Sequence, residues 1–592
     1  MSTKEKVEFL RQSMAKKGID AYIIPSNDIH FSEYVADHWK SREWISGFTG
    51  SAGTIVITAD DAGLWTDSRY FLQAETELEN TGIKLFKPQN RFAPEHIEWL
   101  AKELKKGNTV GIDGNLLTNN QQKKYSSILS EREIELSTSY DLLNEIWKDR
   151  PSIPLNEIEE HDISFAGKNR TEKLGEVRAQ MKDQGVDHHL ITTLDDIAWL
   201  FNIRGTDVDF NPVAVCFALV SRESAQLFID ASKVDTVLKQ KLSNDHIDIR
   251  AYDDLIQYLN ELPSEDKLLV NDGTCAYTIY RSINAQIVSG KTITTALKGQ
   301  KNNTELDHVE KMMAKDGAAL ANAFYWLDQK MKNGEGVAES TFAQKIAECR
   351  SQMEGYKGES FPAIVGYKGN GAIIHYRPES GKDATMTSDG VLLCDSGGQY
   401  LDGTSDITRT IALGTPSKEE KRNFTLVLKG MVSLTRATFP IGTTGAQLDV
   451  FARMHLWEHG LNYGHGTGHG VGFYLNVHEG PQGISGMNSS AARVPLKEGM
   501  ITSNEPGYYK EGRYGIRIEN LISVIKSGNA GFFEFKTLTL YPIDIKMIDE
   551  AIFNKSEKAW LNKYHYEVFK KVSPYLEGDL LSWFELKCRP MN

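Results

Sequence analysis

Cysteine is scarce in this chain: five residues in 592, Cys216, Cys275, Cys349, Cys394 and Cys588, widely spaced and in no CxxC pair. An odd, scattered set of this kind argues against a disulfide framework and suits reduced thiols in a cytosol. No run of about 18 apolar residues occurs, so no transmembrane helix is expected. A surplus of positive charge is missing too: 67 basic residues stand against 80 acidic ones, a formal charge of −13. Neither nucleic acid nor an anionic membrane is therefore the expected partner, since both favour a basic surface. The first twenty residues carry Lys4, Glu5, Lys6, Glu8, Arg11, Lys16 and Lys17 and no apolar core. No secretory signal is expected, and a cytoplasmic location is the default. What is present is ordinary globular composition, 40% hydrophobic and 25% charged. At roughly 150 residues per domain the length suggests about four domains.

The chain contains an internal repeat. Val7, Leu10 and Met14 form one helical stripe, followed by Gly18-Ile19-Asp20 and the apolar run Tyr22-Ile23-Ile24. Leu174, Val177 and Met181 repeat the stripe, Gly185-Val186-Asp187 the turn, and Leu190-Ile191 the run. Gly18 and Gly185 read as left-handed helix C-caps. Each copy continues into strand-like segments ending Leu64-Trp65-Thr66-Asp67 and Leu227-Phe228-Ile229-Asp230. The expectation is two tandem α/β domains, residues 1–139 and 155–300, joined through the proline-bearing stretch Arg150–Pro154. Thr304, followed by Glu305 and Asp307, reads as the opening of a long helix running to Lys332, with acids in its first turn. A third domain, residues 301–592, is taken to begin there. Its tail holds Trp560, Tyr564, Tyr566, Phe569 and Trp583 among charges, and reads as a docked helix.

The third domain concentrates the chemistry. His455, His459, His465, His469 and His478 crowd one region, interleaved by Gly464, Gly466, Gly468, Gly470 and Gly472. Glycines at that density let backbone approach closely or take positive φ. Upstream, Val391-Leu392-Leu393-Cys394-Asp395 and the return segment from Asp406 to Thr410 read as a hairpin placing Asp395 and Asp406 on one face. They are either ligands or turn aspartates; a bare carboxylate after four apolar residues is costly. Downstream, Glu505 precedes Pro506-Gly507, and Glu519 lies in Ile516–Ile522, read as one alternating strand with Arg517 and Glu519 on the same side. Two aspartates, two glutamates and a histidine form a coherent metal set: packed carboxylates repel, and two divalent cations balance them. Hard oxygen with one imidazole and no thiolate favours manganese, cobalt or iron(II), and two such ions suit aminopeptidase-type hydrolysis.

At these residues the sequence resembles the pita-bread metallopeptidases, and among them the aminopeptidase P (X-prolyl aminopeptidase) family in its long, three-domain cytosolic form. The resemblance covers the whole chain. It implies a mixed α/β architecture of two creatinase-like N-terminal domains followed by a pita-bread catalytic domain. It implies that Asp395 binds one metal, that Asp406 and Glu519 bridge two, and that His469 and Glu505 complete the second. It further implies substrate contact by His375, in Ile373-Ile374-His375-Tyr376-Arg377-Pro378, and by His478, in Val477-His478-Glu479-Gly480-Pro481. His465 becomes a further pocket histidine, and Arg517 a residue steadying a ligand carboxylate. The implied reaction releases the N-terminal residue from peptides with proline second, by attack of a hydroxide held between two ions, with Glu505 as base and His478 at the oxyanion. Manganese and a homodimer are implied with it.

Rival readings differ in what they require. His455-Leu456-Trp457-Glu458-His459 fits the HxxEH pattern of a single-zinc peptidase, but that leaves the five matched ligands without a role. Prolidase shares the metal set and differs in substrate length; the duplicated N-terminal half favours the aminopeptidase by analogy. A non-catalytic binding module on the same fold is opposed by the intact ligand set. A methionine aminopeptidase is opposed by the large N-terminal half.

Overall fold

A computed structural model describes residues 1–89, 93–486 and 489–591. The chain forms two compact units, Met1–His161 with Lys168–Thr294, and Asp162–Gly167 with Thr295–Asn592.

The first unit carries the repeat. Its first helix, Thr3–Lys17, opens on a Ser2–Glu5 capping box and buries Val7, Leu10 and Met14. Gly18 ends it at φ 69°, with Ile19 N–H donating to Met14 O and Gly18 N–H to Ala15 O. The second copy, Arg170–Asp183, ends in the same pair of bonds: Val186 N–H to Met181 O and Gly185 N–H to Lys182 O, with Gly185 at φ 65°. Both are left-handed stops in which the turn closes the last helical carbonyls. Each helix feeds a six-stranded sheet. From edge to edge the first runs Lys84–Phe86, Ala62–Trp65, Thr54–Thr58, Ala21–Pro25, Thr109–Ile112, Glu135–Ser137. The second runs Ile247–Arg250, Ala225–Phe228, Phe217–Ser221, His188–Ile191, Lys267–Val270, Gln286–Ser289. Parallel and antiparallel neighbours follow in the same order in both. The repeat is thus one of topology, kept by the apolar stripe and the glycine stop while the charged positions diverged.

The second unit is built on the 30-residue helix Asn303–Lys332. Its N-cap is Asn302, in a capping box with Glu305, and not Thr304. Asn302-x-x-Glu305 supplies the glutamate that reaches back to the cap N–H; Thr304 would offer only Asp307, one methylene shorter. Around this helix a three-stranded antiparallel sheet, Ile364–Tyr367, Val391–Ser396 and Ile407–Ala412, pairs Ile364 with Asp395 and Asp395 with Thr408. A six-stranded sheet runs Thr438–Pro440, Phe532–Thr537, Asn520–Lys526, Ile501–Asn504, Gly468–Gly470, Glu479–Ile484. A hairpin, Gly507–Lys510 with Tyr514–Arg517, stands beside them. The run 516–522 is not one strand: the hairpin ends at Arg517 and a strand of the large sheet starts at Asn520. Ile516, Ile518 and Asn520 are as buried as Arg517 and Glu519, so both sides of the segment are core.

The tail forms two helices, Lys555–Val572 and Gly578–Lys587. Tyr564 and Trp583 are buried against the unit's core, while Tyr566 points to solvent, 63% exposed. Among the described residues no helix is long and apolar enough to cross a membrane, and the five cysteines are free and buried.

Candidate metal centre

Asp395 is the penultimate residue of a wholly buried strand, Val391–Ser396, and Asp406 immediately precedes its neighbour Ile407–Ala412. His469 is the middle residue of Gly468–Gly470, and Glu505 follows Ile501–Asn504, the strand paired with it. Glu519 occupies the step between hairpin and large sheet. Five residues spread over 125 positions thus meet where two sheets and a hairpin converge. His469 Nε2 lies 3.4 Å from Asp406 Oδ2 and 3.6 Å from Glu505 Oε1. Asp406, His469 and Glu519 offer ligand atoms within 4.8 Å of one another, the one such group among the described residues.

The glycines act here by close approach. None of Gly466, Gly468, Gly470 and Gly472 takes a left-handed φ, but a Cβ on Gly468 would meet Ser503 O at 2.0 Å and one on Gly470 would meet Glu479 O at 2.2 Å. Only glycine lets the His469 strand lie this near its neighbours.

Electrostatics mark the cage as short of positive charge. Burial raises the Glu505 carboxyl to about 7; His469 and Arg517 oppose this, while Asp406 and Asp395 add to it. Burial, then Asp406, Asp395 and Glu505, push Glu519 well above the usual carboxylate range. Asp395 is raised by burial against the pull of Arg517. Burial alone would lower the His469 imidazole, but Asp406 and Glu505 lift it to about 9. The His469 Nδ1 lies 3.0 Å from Gly470 O. A carbonyl can only accept, so Nδ1 carries a proton and Nε2 faces the carboxylates as the site for a further cation. Asp395 Oδ1 is buried with no hydrogen-bond partner. An orphan carboxylate oxygen, surplus negative charge and an imidazole Nε2 whose proton a cation would displace together fit hard divalent cations.

Neighbouring groups hold the cage. Arg517 donates to Asp395 Oδ2 at 2.5 Å, to Thr408 Oγ1 at 3.1 Å and to the Tyr509 hydroxyl at 2.8 Å. Thr408 Oγ1 donates to Glu519 Oε2 at 2.8 Å. Ser503 Oγ accepts from His469 N–H at 3.0 Å and donates to Glu505 Oε1 at 3.2 Å. His465 Nε2 sits 2.8 Å from the Tyr509 hydroxyl, and the His478 ring stands edge-on to His469 with centroids 4.3 Å apart. His375 lies on a separate loop, between Ile364–Tyr367 and Val391–Ser396, and is half-buried. Sequence reasoning missed Tyr509, Thr408 and Ser503. For Tyr509 a signal was there: it lies four residues after Glu505 in the strand-like run Gly507-Tyr508-Tyr509, and a tyrosine hydroxyl that packs near a ligand seeks a polar partner.

The HxxEH reading dissolves. The helix Gly445–Trp457 ends before Glu458 and His459. His455 Nε2 is 3.1 Å from Ser433 Oγ, and its Nδ1 is 3.7 Å from Glu458.

Comparison with known proteins places these features in context. Residues 307–526 match the model of metallopeptidase family M24, and 531–591 that of the C-terminal region of peptidase M24. Residues 6–146 and 149–305 each match a creatinase/prolidase N-terminal domain. The chain is 40% identical, over its full length and 94% of the relative's, to a probable Xaa-Pro aminopeptidase P of Laccaria bicolor. It is 41% identical to aminopeptidase P2 of Arabidopsis thaliana, covering 99% of this chain and 88% of that one. The crystal structure of X-prolyl aminopeptidase from Caenorhabditis elegans, described as a cytosolic enzyme with a di-nuclear active site, superposes with a TM-score of 0.95 at 33% identity, covering 100% of both chains.

Proposed function

The chain belongs to metallopeptidase family M24, as an aminopeptidase of the X-prolyl branch, and from that premise we propose that it releases the first residue of peptides whose second residue is proline. The observation that carries the reading is the buried cage of Asp395, Asp406, Glu505, Glu519 and His469, with its orphan oxygen on Asp395. Asp395, Asp406 and Glu519 would hold one divalent cation, and Asp406, Glu519, His469 and Glu505 the other. Manganese suits this ligand set of hard oxygens with one imidazole. When bound, the two ions would acidify a water and polarise the scissile carbonyl.

The chain's own groups do the rest. Glu505 takes the proton of the attacking water, the part of a carboxylate placed beside the reacting centre. His478, beside His469, donates to the oxyanion as it develops. The proton then passes from Glu505, or through a histidine-bound water, to the leaving proline nitrogen. That nitrogen carries no N–H in the peptide, so the leaving group must be protonated as the bond breaks. His375 and His465 contact the peptide, and Arg517 keeps Asp395 in place. We take residues 1–139 and 155–300 as the two creatinase-like domains and 301–592 as the catalytic domain. A cytoplasmic homodimer is part of the same proposal.

The test is hydrolysis of an Xaa-Pro-Xaa tripeptide by chelator-stripped protein with and without Mn²⁺. Release of the first residue only with metal supports the reading. Cleavage of an Xaa-Pro dipeptide alone replaces it with prolidase activity. Full metal loading with no hydrolysis of either leaves a binding module.

A further inference from the structure

The carboxylate of Glu339 is fully buried and lies outside the metal cage. Glu339 is the first residue of the helix Glu339–Ser351, where the helix dipole favours an anion. Among the described residues, the hydrogen bonds that it accepts come from neutral donors on one stretch of chain. Oε1 accepts from Tyr367 N–H at 2.6 Å and from the Asn370 amide at 3.1 Å. Oε2 accepts from the Tyr376 hydroxyl at 2.8 Å, Ala384 N–H at 2.9 Å and the same Asn370 amide at 3.0 Å. Tyr367 opens the loop between the strands Ile364–Tyr367 and Val391–Ser396, and Ala384 lies near its far end. Tyr376 is the neighbour of His375. A second tie, Ser340 N–H to Asp383 Oδ2 at 2.6 Å, joins the same helix terminus to the same loop.

The far end of the loop pairs, Thr385–Met386 with Val337–Ala338, but residues 368–384, which carry His375, join no strand. A buried anion that needs every donor for its own desolvation enforces one conformation on them. Burial, together with the Glu339 carboxylate, pushes the Tyr376 phenol upward, so it stays a donor throughout the working range.

We propose that Glu339 is a positioning residue for substrate binding: by gripping Tyr367, Asn370, Tyr376 and Ala384 at once, it fixes where His375 stands. The inference rests on the reading above that His375 contacts the peptide.

Glu339→Gln keeps the side-chain volume but turns one acceptor oxygen into an N–H donor facing other donors. Tyr376→Phe removes a single donor beside His375 and leaves the remaining bonds. In the metal-loaded protein, each is expected to lower kcat/KM for an Xaa-Pro-Xaa tripeptide by about 10-fold or more, since small displacements of a positioning group are costly. Metal content should be unchanged, and amide exchange at Tyr367 and Ala384 should quicken in Glu339→Gln. Combined with His375→Ala, neither substitution should lower kcat/KM further, because a residue acting through His375 has nothing left to act on. Full multiplication of the effects, or a Tyr376→Phe variant with unchanged kcat/KM, overturns the proposal. If Glu339→Gln does not fold, Tyr376→Phe and its double variant decide the matter alone. A His375→Ala variant as active as the parent refutes the reading of His375, and this inference with it; loss in His375→Ala with multiplying effects refutes this inference alone.

Discussion

Arg517 links Asp395 to Tyr509 and, through the Tyr509 hydroxyl, to His465. One arm of its guanidinium meets Asp395 Oδ2 at 2.5 Å, and the other donates to the Tyr509 hydroxyl, which lies 2.8 Å from His465 Nε2. His465 Nδ1 is 2.7 Å from Gly466 O, so it carries the proton and Nε2 accepts from Tyr509. The direction of donation is therefore fixed along the whole chain, from Arg517 through Tyr509 to His465. Arg517 is the first of the groups whose pull on Asp395 opposes burial, and Thr408 pulls the same way.

Replacing Arg517 with Met leaves Asp395 buried without its counter-charge. Mn²⁺ affinity should fall by about 10- to 100-fold, the usual cost of losing the partner of a metal ligand. Titration calorimetry on chelator-stripped protein measures it. Arg517→Lys should recover only part, because an ammonium cannot serve Asp395, Thr408 and Tyr509 with one planar fork. Undiminished affinity in Arg517→Met would count against Asp395 as a ligand.

Gly468→Ala should damage the candidate centre without replacing any of its five candidate ligands. Its Cβ would meet Ser503 O at 2.0 Å, so the His469 strand must draw back from the strand leading into Glu505. The expected outcome is a fall in metal affinity together with a loss of stability of about 1–3 kcal/mol, the usual cost of overpacking. Gly466→Ala serves as the control, since its nearest neighbour would be Ile484 O at 3.7 Å.

His455→Ala and His469→Ala separate the two histidine readings directly. His455 bonds Ser433 on a helix face, so its loss should leave metal binding and peptidase activity intact. His469 points its Nε2 at Asp406 and Glu505, so its loss should abolish tight binding of the second ion. Metal stoichiometry by elemental analysis distinguishes the two, and a reversed result would revive the HxxEH site.

Much of this was legible in the sequence because each candidate ligand sits in its own local signature: Asp395 after an apolar strand, His469 among glycines, Glu505 before Pro-Gly. The repeat was legible for the same reason, as a stripe, a glycine and an apolar run. What was hidden is what depends on long-range partners. Glu339 opens a helix with no motif around it, and its importance appears only when four donors from residues 367–384 close on it. The segment 516–522 misled in its continuity: the alternation runs unbroken through the step at Ile518-Glu519, where the chain passes from the hairpin to the large sheet. The Thr304 cap misled because Asn302 with Glu305 and Thr304 with Asp307 overlap, and only reach decides between them.

His189 offers a test far from any metal ligand. It is fully buried in the second sheet of the N-terminal unit. Its Nε2 accepts from Ile293 N–H at 3.2 Å and its Nδ1 is 3.3 Å from Leu269 O. The ring is thus held neutral, with the proton on Nδ1, and burial lowers its pKa to about 4. In the unfolded chain it titrates near 6.5, so between pH 6.5 and 4 the unfolded state binds a proton that the native state refuses. Stability is full above the unfolded value and drains away as pH falls, by about 1.4 kcal/mol per pH unit for this one residue. His189→Gln keeps a donor and an acceptor but cannot titrate. The variant should be less stable than the parent at pH 7, and the gap should narrow by about 2 kcal/mol at pH 5. Urea unfolding of the N-terminal unit at the two pH values measures it, and a gap independent of pH would mean that the native state protonates His189 as readily as the unfolded chain does.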